Sequence, residues 1–164
     1  MKDNNNLNVL LRCCYLSFFC IMATIKFCKI HPLACTPEYA HKGSDSGLDL
    51  YAVADSEIKP MSVGLVPTGI CMEIPVGYEG QVRSRSSLAL KGIIVANSPG
   101  TIDSGYRGEI QVILLNLSQD SFLISPKMRI AQLVITQISV ADLLLVDSLG
   151  ESSRGKSGFG STGI

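Results

Sequence analysis

The sequence predicts an all-β protein: a distorted jelly roll or β-barrel with one short helix and a mobile C-terminal tail. Three observations carry this. Short apolar runs recur roughly every ten residues with polar, Gly or Pro breaks between them, the spacing of a sandwich or barrel. Fifteen glycines and no tryptophan suit a turn-rich chain. The runs are too short and too closely spaced for strands alternating with crossover helices. At 164 residues the chain makes one domain, read as a β domain over 22–149 with a flexible tail over 150–164.

The elements follow in order. "MKDNNNLNVLLRCCYLSFFCI" (1–21) starts polar and then runs apolar, broken by Arg12. It is shorter than a membrane span of roughly 20 apolar residues. It also lacks the basic start and small-residue cleavage site of a signal peptide. We read it as a non-native or disordered extension with Met22 the natural first residue, a cleaved leader being the alternative. Strands are expected in "TIKFCKI" (24–30), "SVGLVPTGICMEI" (62–74), "EGQVRSRS" (79–86), "EIQVILLNL" (109–117), "RIAQLVITQISV" (129–140) and "LLLVD" (143–147). "SSLALK" (86–91) reads as a single helical turn capped by serine. "GTIDSGYRGEI" (100–110) reads as a hairpin turning at Ser104-Gly105, with Asp103 facing Tyr106 and Thr101 facing Gly108.

Composition narrows the function. Lys plus Arg equals Asp plus Glu at 14 each, so the chain lacks the basic surplus a nucleic-acid polymer requires. A single small anion remains possible, since a few cations and backbone amides suffice. Six cysteines (Cys13, Cys14, Cys20, Cys28, Cys35, Cys71) form no C-x-x-C pair, and His31 and His41 are too scattered for zinc. They read as reduced, mostly packing thiols, which favours the cytoplasm and no membrane. "GESSRGKS" (150–157) fits the phosphate-loop expression, but "GFGSTGI" after it cannot form the helix that loop needs, so the match is accidental.

Chemistry-bearing residues remain. Asp103 stands beside the expected turn with Asn97 and Tyr106, and its ordinary reading is a turn cap. Asp49 lies between two leucines in "SDSGLDLYA", as an edge-strand residue in water or as the holder of a cation. Arg85, Ser86 and Ser87 open the helical turn, as a plain N-cap or an anion cradle. Gln132 interrupts an apolar strand, where an amide must find partners. Arg154 and a Phe159 flanked by glycines sit in the tail.

Together, "SDSGLDLYA", "RSRSSLAL", "NSPGTIDSGYRGEI", "RIAQL" and "RGKSGFGSTG" resemble the five ordered motifs of the trimeric dUTPases, from about Ile25 to the C-terminus. The resemblance implies Mg²⁺-dependent hydrolysis of dUTP to dUMP and pyrophosphate, in a homotrimer with active sites at subunit interfaces. It implies that Asp103 activates the attacking water and that Asp49 holds the metal through water. It gives Arg85, Ser86, Ser87 and Gln132 to the phosphates, and Asn97, Thr101 and Ile102 to the uracil edge. Tyr106 packs under the sugar and Gln111 lies at the pocket edge. Phe159 stacks on the base while Arg154, Ser161 and Thr162 reach the outer phosphates. The extension has no counterpart in the family pattern, and the second acid some members carry is Gly105 here. A dCTP deaminase, alone or bifunctional, shares the fold; it needs a pocket glutamate, and Glu109 is expected to point away. A non-catalytic trimeric nucleotide-binding regulator is the other alternative.

Overall fold

The computed structural model describes residues 23–158. The expected extension (1–21) and Phe159, Ser161 and Thr162 lie outside them. The strands are β1 (Lys26–Lys29), β2 (Leu48–Tyr51), β3 (Ser56–Ile58), β4 (Ser62–Glu73), β5 (Tyr78–Arg83), β6 (Ile93–Val95), β7 (Gly100–Ile102), β8 (Glu109–Asn116), β9 (Phe122–Ile124) and β10 (Arg129–Gln137). One helical turn, α1 (Ser86–Ala89), follows β5.

The strands form two four-stranded antiparallel sheets, β1-β4-β8-β6 and β2-β10-β5-β7, and a β3-β9 ribbon. Alternation along β8 turns Ile110, Val112 and Leu114 inward, while β10 and β2 contribute Ile130, Leu133 and Leu50 to the same cluster. The layout is jelly-roll-like, but the sheets do not close into the barrel allowed for above: β1, β6, β2 and β7 each remain an edge.

Two polar devices hold the layers together. Asn116 is fully buried at the end of β8, where its amide donates to the carbonyls of Ile58 (2.9 Å) and Asp120 (2.8 Å). Its carbonyl accepts from the Ser118 amide at 2.9 Å, so no polar atom is left unmet. In β4 the ladder to β8 shifts register between Pro67 and Cys71, at a proline that has no N–H to give. Gly69, at φ 67, turns its N–H instead to the Glu109 carboxylate at 2.7 Å.

Three expectations are corrected. The 100–110 stretch is no hairpin: β7 pairs with β5, whereas β8 pairs with β4 and β6 in the other sheet. Only the turn survives, closed by Tyr106 N–H to the Asp103 carbonyl at 3.0 Å. Asp103 and Tyr106, and Thr101 and Gly108, are therefore not cross-strand neighbours. "LLLVD" is not a strand, since residues 138–158 contain neither strand nor helix and Leu143 and Leu145 are 98% and 97% exposed. α1 begins after Arg85, which occupies the N-cap without a side-chain hydrogen bond, so serine does not cap it. Among the described residues no helix is long and apolar enough to cross a membrane.

Replacing Asn116 by Ala strands the buried Ile58 carbonyl and takes the acceptor from the half-buried Ser118 amide. An unfolding free energy lower by about 2–3 kcal/mol is expected, read from the urea midpoint at unchanged m-value.

Candidate active site

Where the chain leaves one sheet for the other, a cavity of about 250 Å³ opens between β7 and β8. Leu65, Val82 and Ile113 provide apolar wall, and the sequence-predicted Asn97, Thr101, Ile102, Asp103, Tyr106 and Gln111 all line it. Close approach at the entrance depends on glycine. A Cβ on Gly100 would lie 3.1 Å from the Asn97 amide nitrogen, and one on Gly108 would run into the Tyr106 ring. The Tyr106 hydroxyl donates to the Glu109 carbonyl at 2.9 Å, fixing the ring over the turn. β7 is a sheet edge: one side pairs with β5, so alternate N–H and C=O groups of Gly100–Ile102 face away from it.

The Asp103 side chain is exposed at the mouth and makes no hydrogen bond or ion pair with any described residue. The turn is closed by its backbone carbonyl, so its carboxylate is not the turn cap of the ordinary reading. Glu109 corrects the expectation that it points away, because it lines this cavity. Its two oxygens accept from Gly69 N–H (2.7 Å) and the Gln111 amide (3.1 Å). No local pattern signals this, since the glycine that holds it is forty residues upstream.

A second hollow, about 430 Å³, gathers Asp49, Arg85, Ser86, Ser87 and Gln132 with the loop Ser44–Gly47. Asp49 is buried in β2, and both its oxygens are engaged, by Arg85 Nε at 3.0 Å and by Arg129 Nη1 at 3.2 Å. It stands on an edge strand, as one reading had it, but is out of water. Arg85 lines the hollow with the carboxylates of Asp49 and Asp45, while Arg129 meets Asp49 from outside the lining. Ser86 and Ser87 open α1, and neither their amides nor their hydroxyls meet a partner among the described residues. Gln132 donates to the Ser84 carbonyl at 2.9 Å, and Gly47 gives it room, since a Cβ there would meet its Oε1 at 2.5 Å. Arg129 was missed in "RIAQL", where Gln132 drew attention as the odd polar residue; an arginine at a strand start looks like ordinary solvent-facing charge. Beside Asp49, burial above all, and then that carboxylate, raise the Tyr51 hydroxyl above the usual phenol range. Arg154 lies in neither hollow; its Nε donates to the Ser157 carbonyl at 2.9 Å within the tail.

The dUTPase family model matches residues 34–163. The chain belongs to the dUTPase family. Its relatives include the deoxyuridine 5'-triphosphate nucleotidohydrolase of Helicobacter pylori strain Shi470, 53% identical over 85% of this chain and 97% of that one. The enzyme of the same name from Alkaliphilus metalliredigens is 49% identical over 87% of this chain and 99% of its own. Among solved structures, the Staphylococcus bacteriophage 80alpha dUTPase with dUPNHPP superposes with a TM-score of 0.81 at 27% identity, over 87% of this chain and all of that one. The matched span of this dUTPase-family chain takes in both hollows.

Removing the Asp49 charge leaves Arg85 and Arg129 facing each other. Asp49→Asn is expected to lower stability by about 1–3 kcal/mol, less than for a fully buried pair because Arg129 is half exposed. Added salt should recover part of the loss, measured as a shift of the urea midpoint.

Proposed function

We propose that this chain hydrolyses dUTP to dUMP and pyrophosphate, withholding uracil from DNA and supplying dUMP for thymidylate synthesis. One observation carries the reading. Six residues chosen from the sequence line a single cavity with an unpartnered carboxylate at its mouth. Family membership and the activity named for the relatives support it.

Uracil enters the cavity between β7 and β8, where the outer edge of β7 around Thr101 and Ile102, with the Asn97 amide, reads its polar edge. Cytosine presents a donor where uracil has an acceptor and leaves buried groups unpaired, at about 1–3 kcal/mol each. Thymine's methyl group meets backbone that cannot retreat. Tyr106 packs under the deoxyribose and excludes a 2′-hydroxyl, and Gln111 closes the edge. Asp103 accepts a proton from the water attacking the α-phosphorus, and its lack of a side-chain partner among the described residues suits a general base. Arg85, Ser86, Ser87 and Gln132 receive the phosphates, and Arg154, Phe159, Ser161 and Thr162 close over the nucleotide from the tail.

Among the described residues no three His, Cys, Asp or Glu side chains converge, so Mg²⁺ would take its inner ligands from phosphate oxygens and water. Asp49 fits an outer contact through water, because each of its oxygens has a lone pair beyond the one given to an arginine. The ion would neutralise triphosphate charge. We place the enzyme in the cytoplasm as a homotrimer. The two hollows share no lining residue, and the exposed aliphatic run Leu143–Val146 needs a covering surface; both support sites shared between subunits.

With Mg²⁺, the purified protein is expected to release pyrophosphate from dUTP and leave dTTP, dCTP and UTP largely intact. Ammonia release from dCTP would favour the deaminase alternative, for which Glu109 in the cavity is the one supporting feature. Asp103→Asn should bind dUTP near normally while kcat falls about 10²–10⁴-fold, the range for loss of a general base. Deleting 154–164 should depress turnover and leave the oligomer intact by light scattering.

A further inference from the structure

The thiols expected to be packing residues are not all in the core: Cys28 is exposed and Cys71 half-buried. They sit directly opposite each other, Cys28 on edge strand β1 and Cys71 on β4. Both line one surface hollow with Phe27, Met72 and Arg107. Opposed residues of an antiparallel pair have Cα atoms about 4.5–5.5 Å apart and side chains on one face, inside the roughly 4.4–6.8 Å that a disulfide spans. The two sulfurs also sense each other: burial first, then the Cys28 sulfur, holds the Cys71 thiol above its ordinary range.

We propose that Cys28 and Cys71 form a dithiol site that reacts with a low-molecular-weight disulfide and closes to a reversible intramolecular disulfide. The exposed Cys28 thiolate attacks one sulfur of the small disulfide, forming a mixed disulfide and expelling one thiolate. Cys71 loses its proton to solvent and attacks the Cys28 sulfur, expelling the second thiolate. Two electrons and two protons pass from the protein to the small disulfide, which leaves as two thiols. Lys26, paired to Glu73 at 3.1 Å, and Arg107 line the hollow with that carboxylate, and the one net positive charge suits a reagent bearing carboxylates, such as glutathione disulfide. The link ties β1, held at one side only, to β4 at the residue that also pairs with Glu109 of the cavity. An exposed cross-strand link of this kind belongs to the labile, regulatory disulfides rather than the structural ones.

The test reads mass rather than dUTP turnover, so it stands or falls apart from the proposed activity. Native reduced protein incubated with glutathione disulfide should lose the mass of two hydrogen atoms, give a Cys28–Cys71 cross-linked peptide on non-reducing digestion, and return to its starting mass with dithiothreitol. Cys71→Ser should stop at a glutathione adduct on Cys28, and Cys28→Ser should not close. Phenylarsine oxide, which bridges neighbouring thiols, should bridge Cys28 and Cys71 in the unmodified native protein, a readout independent of how either variant folds. Peptide mapping locates the bridge and sets it apart from uptake at the adjacent Cys13 and Cys14. A stable mixed disulfide in the wild type, a link through Cys35 or the N-terminal cysteines instead, or reaction only after denaturation would overturn the proposal.

Discussion

Between Ile102 and Glu109 the chain must pass from one sheet to the other, and the candidate site exists because of that passage. A hairpin would have consumed the inner edges of both strands in mutual hydrogen bonds and left no space. Because β7 pairs only with β5, and β8 with β4 and β6, the two strands diverge and a cavity opens in the fork. The turn at Asp103–Tyr106 then projects a carboxylate and an aromatic ring over the opening. The divergence is held on its far side by Glu109, whose grip on Gly69 fixes the bulge of β4 beneath it.

The second hollow rests on a different balance. A carboxylate taken out of water is costly unless paired, and Asp49 lies in the middle of a strand whose neighbours point into the core. Arg85 and Arg129 meet it from the N-cap of α1 and the start of β10, so one buried acid ties three parts of the chain together. The paired carboxylate belongs to the fold, and the start of α1 beside it, whose serines meet no partner among the described residues, is the part of the hollow open to the proposed phosphates.

Sequence patterning made the long elements legible. β4, β8 and β10 carry enough alternating or β-branched residues to announce themselves, and α1 was visible in its serine-rich start. The three-residue strands β3, β6 and β9 were not singled out, since three residues fit a turn as well as a ladder, and β7 was seen only as a hairpin arm. The false hairpin has a clear physical origin: alternation on both sides of a Ser-Gly turn reports local geometry but says nothing of which sheet each arm joins. "LLLVD" failed for a related reason, because apolar content marks a segment that needs covering without saying that this chain covers it. The site was more legible than the fold around it, since its polar residues stand out against apolar strands whatever the strand order. What stayed hidden was paired at long range, as with Glu109 to Gly69 and Asp49 to Arg129.

Three carboxylates in this chain share one chemistry and are set apart by their partners. Asp49 has both oxygens engaged by arginines from two other parts of the chain. Glu109 has each oxygen tied to a donor in the scaffold, and releasing them would give up the bond that holds the bulge. Asp103 alone stands at the cavity mouth with neither cation nor donor from the described residues. Of the four acids lining the two hollows, Asp45 accepts from the His41 backbone N–H, and Asp49 and Glu109 are engaged as above. Counting partners among the described residues, only Asp103 of the four can take a proton without giving up a structural bond, which supports the proposed chemistry at the turn between the sheets.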